Sequence, residues 1–185
     1  KITYEIIFID DGSTDDTYSK LSSLNKANKN VKVIRFSRNF GKESAMLAGL
    51  KNASGSYVAI MDADLQHTPE MLILMYKKLI NDDSFDCCCA YKSNREDEGS
   101  LKRTLTSLFY KINNKISDVK LLPGASDFRV FKKSVCDAIT SLDEKTRFLK
   151  GMFSWVGFNT IYVPYVPEKR MYGTSKWSLY KLLKY

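Results

Sequence analysis

The chain has 185 residues, 44% of them hydrophobic, with 29 lysines and arginines against 21 aspartates and glutamates and a formal net charge of +8. That length suits one domain with a real core, and the hydrophobic content is ordinary for a globular protein. The positive excess fits anionic partners (nucleic acid, a phosphorylated substrate or an anionic membrane surface), and no run of about 18 apolar residues is available to span a bilayer.

The pattern over residues 4–9 predicts a strand, ending in Asp10-Asp11-Gly12-Ser13-Thr14-Asp15-Asp16-Thr17. Gly12 permits a tight turn. Ser13 or Thr14 can cap a helix expected over 14–28, and Asp15 and Asp16 suit its positive end. Asp10 and Asp11 sit at the strand tip instead, where helix capping does not explain them. A strand over 31–36 and a helix over 42–53 follow.

The run 56–61 predicts a buried strand ending in Asp62-Ala63-Asp64 and continuing as Leu65-Gln66-His67-Thr68-Pro69-Glu70. Thr68 reads as the N-cap, Pro69 as the first helical residue and Glu70 as a first-turn acid of a helix over 69–81. Two carboxylates therefore lie one residue apart at the carboxyl end of a strand, where open α/β sheets bind ligands. They repel unless a cation lies between them, and hard divalent ions such as magnesium or manganese take such oxygens together with substrate phosphates. A bare Asp-x-Asp is as readily a pair of solvated loop acids. A second acidic strand tip favours one shared site, with Asp11 on a base or ribose and Asp62 and Asp64 on a metal and a diphosphate.

Residues 85–91 predict a strand carrying Cys87, Cys88 and Cys89, and Cys136 stands alone in a helix. Neighbouring strand residues face opposite ways, so this is neither a disulfide framework nor a zinc spacing. Buried reduced thiols are expected, which favours the cytoplasm. The polar loop 93–99 precedes an amphipathic helix with Leu101, Leu105, Leu108, Phe109, Ile112 and Ile116 on one face, a face more often core than membrane surface. A strand over 127–131, a helix over 133–141, a segment over 147–158 and a strand over 160–166 follow. The alternation is the βαβ rhythm of an α/β fold with a largely parallel sheet. Residues 175–185 place Leu179, Leu182 and Leu183 opposite Lys181, Lys184 and Trp177. That is the composition of a membrane interface, and equally of a helix docked on the domain. A domain over 1–174 and an amphipathic juxtamembrane helix over 175–185 are expected. With Lys1 at a strand edge and Tyr185 inside a helical pattern, the sequence reads as a piece of a longer chain.

Seven segments in order carry a resemblance: Ile9-Asp10-Asp11-Gly12-Ser13, Arg38-Asn39-Phe40-Gly41-Lys42, Asp62-Ala63-Asp64-Leu65-Gln66, Ser126-Asp127-Phe128-Arg129, Arg147-Phe148-Leu149-Lys150-Gly151, Phe153-Ser154-Trp155-Val156-Gly157, and Arg170 through Gly173 to Ser175-Lys176. The chain resembles the family 2 glycosyltransferases of the GT-A fold, and within them the polyprenyl-phosphate branch of bactoprenol glycosyltransferases and dolichol-phosphate mannose synthases. The resemblance implies inverting transfer of a hexose from a nucleotide sugar, of the UDP-glucose or GDP-mannose type, to a polyprenyl phosphate at the cytoplasmic face of the membrane. It places Asp10 and Asp11 with the nucleotide, and Asp62, Asp64 and Gln66 around a magnesium or manganese ion and the diphosphate. Arg170, Ser175 and Lys176 would close over that diphosphate. Asp127 would stand near the acceptor, as a base or only to orient it. Arg129 and Arg147, with Arg95, Lys102 and Arg103, are basic candidates for the acceptor phosphate, and Arg129 and Arg147 are equally candidates for structural ion pairs. The resemblance is compatible with a homo-oligomer. Three departures stand out. The family's first strand is absent, the membrane helices expected after Lys184 are absent, and Ser126 stands where glycine is usual. His67 occurs in many mannose synthases and does not fix the sugar.

Rival chemistries remain. A family 2 enzyme acting on a sugar hydroxyl in cell-surface polysaccharide synthesis would need Asp127 as a true base. A nucleotidyltransferase would bring a Gly-rich phosphate loop, and none is visible. A nucleic-acid module would account for the charge, but the basic and aromatic residues form no recognised binding motif, so no nucleic acid is expected.

Overall fold

The structure, a computed structural model, describes residues 2–92, 122, 124–144 and 148–166. The expected loop 93–99, the helix carrying Leu101 to Ile116 and the helix 175–185 lie outside the described residues, as do Arg95, Lys102, Arg103, Arg147, Arg170, Ser175 and Lys176.

Among the described residues six strands and five helices follow in the order β1 (Ile6–Asp10), α1 (Thr17–Ala27), β2 (Val31–Arg35), α2 (Lys42–Asn52), β3 (Tyr57–Ile60), α3 (Pro69–Asn81), β4 (Cys87–Lys92), β5 (Ala125–Lys132), α4 (Lys133–Ser141), α5 (Leu149–Trp155) and β6 (Thr160–Tyr165). Elements with strong local signals start and stop where the sequence predicts. The Thr68 hydroxyl accepts from Met71 N–H and Pro69 opens α3, as capping chemistry requires. The first helix is shorter than expected and begins at Thr17. Gly12 turns with φ +72°, Asp10 takes the Ser13 N–H at 2.9 Å, and Asp15 takes the Thr17 N–H at 3.0 Å. Those side chains give residues 12–16 a turn that competes with helix.

The strands form two ladders. β1 and β2 pair in parallel, from Ile6 opposite Val31 to Asp10 opposite Arg35. The other four strands lie in the order β3-β5-β4-β6. Here β4 and β6 are parallel, while β5 runs against both β3 and β4. So β3, β4 and β6 share one direction and β5 alone opposes them. Helix α2 ties the ladders together: Gly49 approaches Ile9 of β1 closely, and Leu50 belongs to the core of the larger sheet. Glu5 adds a polar strap. One carboxylate oxygen accepts from both the N–H and the hydroxyl of Ser54 at 2.7 Å, and the other pairs with Lys32 at 2.7 Å.

The larger sheet buries both faces, as its alternating side chains demand. Leu50, Val58, Cys87, Phe131, Val135, Ile139 and Leu149 fill one side with α2, α4 and α5. Met75, Leu79, Cys88, Phe128, Val130 and Val163 fill the other with α3. Phe128 and Phe131 are completely enclosed, each a burial of about 1.5–3 kcal/mol. The four cysteines are buried and free, and burial pushes the Cys87 thiol up to about 12, so it stays protonated and unreactive at neutral pH. Among the described residues no helix is long and apolar enough to cross a membrane.

The Glu5 strap carries a pH signature. Hydrogen bonds from Lys32 and Ser54 lower its carboxyl from 4.5 to about 2. A depressed carboxylate stabilises fully above its unfolded pKa and loses that contribution as pH falls through the folded one. Glu5→Gln is therefore expected to lower the urea midpoint at pH 7, with the difference from the parent shrinking below pH 4.5 and vanishing near 2. An unchanged midpoint at pH 7 would remove the strap from the account.

Candidate active site

The first acidic turn is locked to the loop that opens α2. Asp11 accepts the Phe40 N–H at 2.7 Å on one oxygen and the Gly41 N–H at 3.0 Å on the other. Asn39 returns a side-chain hydrogen bond to the Asp11 carbonyl at 3.3 Å. Gly12 lies flat against that loop, and a Cβ there would fall 2.4 Å from the Arg38 carbonyl carbon. Asp10, expected with the nucleotide, instead points inward at 2% exposure. It holds the Ser13 N–H and stands 3.5 Å from Arg35 Nε, an ion-pair distance without a hydrogen bond on that oxygen. Asp10 closes β1 as its one buried residue, and Asp11 follows at the tip.

The second turn is strained where it must be open. Leu65 adopts φ +63°, the left-handed region that costs a non-glycine residue about 1–2 kcal/mol, and Asp64 accepts the Gln66 N–H at 3.2 Å. Behind it His67 is buried, stacked on Phe128 at 4.4 Å between ring centres. Its Nε2 lies 3.2 Å from the Tyr165 hydroxyl and 3.4 Å from that of Ser126. Burial lowers its pKa, so at neutral pH it is an uncharged wedge under the turn.

The direction of β5 decides what faces the turn. Tyr57 pairs with Lys132 and Ile60 with Arg129, and the same antiparallel register carried two residues on sets Asp62 opposite Asp127. Lys42 joins them. Its ammonium lies 2.8 and 2.9 Å from the two oxygens of Asp62 and 2.7 Å from Asp127. Lys150 approaches the other Asp127 oxygen at 3.8 Å. Burial alone would raise the Asp127 carboxyl, but Lys150 and Lys42 outweigh it and hold it below the ordinary 3.8. It is a fixed anion and a weak base. Lys42 and Lys150 lie in segments that carry the resemblance, but their role on Asp127 is not legible there, because these contacts span separations that no local pattern encodes.

Beside Asp127, a cavity of ≈ 230 Å³ is lined by Arg129, Lys150, Phe153, Thr160 and Tyr162 among others. Arg129 is 5% exposed. It donates to the Ser126 carbonyl at 2.9 Å and sits 4.0 Å above the Phe153 ring. Its Nε has no hydrogen-bond partner among the described residues. Among the described residues no carboxylate lies within ion-pair distance of Arg129, and the nearby Asp127 feels its charge. Such an arginine is poised for an anion.

Among the described residues no three histidines, cysteines or acids converge as a metal cluster. Asp62 and Asp64 suit a hard divalent ion that takes its remaining oxygens from phosphates, and Asp62 already holds a cation, the Lys42 ammonium.

Comparison with known proteins bears on this arrangement. The family described as Glycosyl transferase family 2 matches residues 1–140. An uncharacterized glycosyltransferase of Synechocystis, sll0501, is 39% identical over 182 residues, covering 98% of this chain and 57% of the relative. The bactoprenol glucosyl transferase of Shigella phage SfV is 41% identical over 178 residues, covering 96% of this chain and 57% of the relative. The chain thus spans little more than half the length of these curated relatives. A mannosyltransferase from Pyrobaculum calidifontis, solved with GDP-Man and Mn2+, superposes with a TM-score of 0.58 at 18% identity over 92% of this chain and 49% of that one. The fold is GT-A-like.

The glycines separate strain from contact. Gly41 also has positive φ, +94°, but a Cβ there meets nothing within 4 Å. Gly41→Ala is expected to cost about 1 kcal/mol from backbone strain alone. Gly12→Ala adds a backbone collision and is expected to cost at least ~2 kcal/mol in denaturant unfolding. Equal losses in the two variants would mean that the turn and the loop are not packed as one unit.

Proposed function

The chain belongs to glycosyl transferase family 2, and from that premise we propose that it forms the catalytic unit of an enzyme transferring a hexose from a nucleotide-diphosphate sugar to a polyprenyl phosphate. The observation that carries this reading is the pairing of Asp127 with two lysines beside the Arg129 cavity. A sugar hydroxyl must lose a proton as it attacks, which calls for a competent base. Asp127, held anionic by Lys42 and Lys150, is a poor one. A phosphate monoester has a second pKa of about 6 and is mostly ionised at neutral pH, so it needs no base. It needs cations, and Arg129 and Lys150 supply them on the acceptor side.

In this mechanism an acceptor phosphate oxygen attacks the anomeric carbon while the bond to the diphosphate breaks on the opposite face, inverting the centre. Asp62 and Asp64, with Gln66, would hold a divalent ion that neutralises charge developing on the leaving diphosphate. Asp11 fixes the loop 36–41 and so shapes the nucleotide side of the site. Asp127 orients Lys42 and Lys150 and takes no proton. Arg170, Ser175 and Lys176 would add cover over the diphosphate, and Arg147 a further charge toward the acceptor. The 41% identity with a bactoprenol glucosyl transferase supports bactoprenol phosphate as acceptor and a glucose donor. Such an acceptor puts the reaction at the membrane surface, on the cytoplasmic side where nucleotide sugars are held, and the +8 charge suits an anionic surface.

Full-length protein in detergent, offered a panel of nucleotide sugars with polyprenyl phosphate or a soluble sugar acceptor, tests the reading. Transfer to the lipid phosphate is expected, Asp64→Asn should abolish it together with metal-dependent binding of nucleoside diphosphate, and Lys150→Met should raise KM for the lipid phosphate about tenfold with the nucleotide-sugar KM within twofold. Efficient transfer to a sugar hydroxyl, with none to the lipid phosphate, would promote the hydroxyl-acceptor alternative.

A further inference from the structure

Lysine is an unfavourable choice for the first residue of a helix, because the exposed N–H groups give that end a positive potential. Lys42 nevertheless opens α2. Its stem crosses to the larger sheet, where the ammonium meets both oxygens of Asp62 at 2.8 and 2.9 Å and one oxygen of Asp127 at 2.7 Å. This contact offsets the local cost, so the position serves the pair of acids more than the helix.

We propose that Lys42 is an internal stand-in for the divalent cation, which occupies Asp62 until the metal arrives and is then displaced from it while remaining on Asp127. The inference rests on the assignment of Asp62 and Asp64 as metal-holding acids. Its geometric core is that the ammonium stands 2.8 and 2.9 Å from the two Asp62 oxygens, so a divalent ion taking either oxygen meets a like charge at close range and is opposed by it. The two ends of the bridge are not equivalent. The Asp62 side chain is 36% exposed and the Asp127 side chain 19%. Solvent weakens the Asp62 contact more, and Asp62 is the acid a solute reaches first. The Lys42 side chain is itself 46% exposed, on a flexible four-carbon stem. Lys42 is thus a positioning residue. It keeps two facing acids from repelling each other in the empty site, and it makes metal binding compete with a pre-existing ion pair.

Binding of Mn2+ alone to the full-length protein in detergent, followed by the EPR signal of free Mn2+ without nucleotide, tests this directly. Lys42→Met is expected to bind Mn2+ about fivefold more tightly than the parent, ~1 kcal/mol at 1.4 kcal/mol per tenfold. Lys42→Arg keeps the competing charge and should stay within twofold. Lys150→Met removes a lysine that touches Asp127 but not Asp62, and should also stay within twofold. An unchanged or weaker affinity in Lys42→Met overturns the proposal, as does an equal gain in Lys150→Met, which would reveal a general field and not a displaced contact. No Mn2+ binding by either parent or Lys42→Met overturns it too. Lys42→Gln carries the same expectation if circular dichroism shows that the methionine variant does not fold. Asp62→Asn separates the two levels of the argument: Mn2+ affinity untouched by that change would put the metal elsewhere and sink the metal assignment itself, whereas loss of binding there with no gain in Lys42→Met sinks only the role of Lys42.

Discussion

Two carboxylates facing each other across an antiparallel ladder repel unless a cation lies between them, and the site is arranged around that constraint. The insertion of β5 against β3 and β4 brings Asp127 to the end of the strand that carries Asp62. Lys42 bridges the two and Lys150 takes the remaining Asp127 oxygen. In the proposed reaction the donor side, with its acids, and the acceptor side, with its cations, therefore share one line of charge. A change at either end alters the balance at the other.

The scaffold beneath that line is made of small, costly conformations held by specific partners. Leu65 is strained at the tip of the second turn. Strain at such a place persists only when its surroundings over-determine it, and here the buried stack of His67 on Phe128 and the Thr68 cap of α3 supply the support. The first turn depends on Gly12, whose missing Cβ lets the loop 36–41 lie against it, and on Asp11, whose two oxygens fasten that loop. Since α2 begins at the end of the same loop, the position of Lys42 is inherited from the acidic turn.

The protein's positive charge gains a partial explanation from these contacts. Lys42 and Lys150 neutralise Asp127, and Arg129 is a buried guanidinium without a carboxylate partner among the described residues. Leaving a buried cation unpaired is expensive. A buried guanidinium beside a cavity suits an anion, and under the proposed function that anion is the phosphate of the acceptor.

Much of this was legible in sequence. A local cap located α3 to the residue and a helical run located α4, because a Thr-Pro start and a helical period are set within a few positions of the chain. The two acidic strand tips were visible for the same reason: a hydrophobic run that stops at an acid marks the end of a strand. The direction of β5 was not, since a strand reads alike from either end and only its neighbours decide its sense. With that direction came the facing of Asp62 and Asp127 and the bridge through Lys42. Sequence spacing determined which residues stand at strand ends. The tertiary structure alone decided which of those ends meet, because electrostatic contact depends on distance in space, and 63 positions of chain separate Asp64 from Asp127.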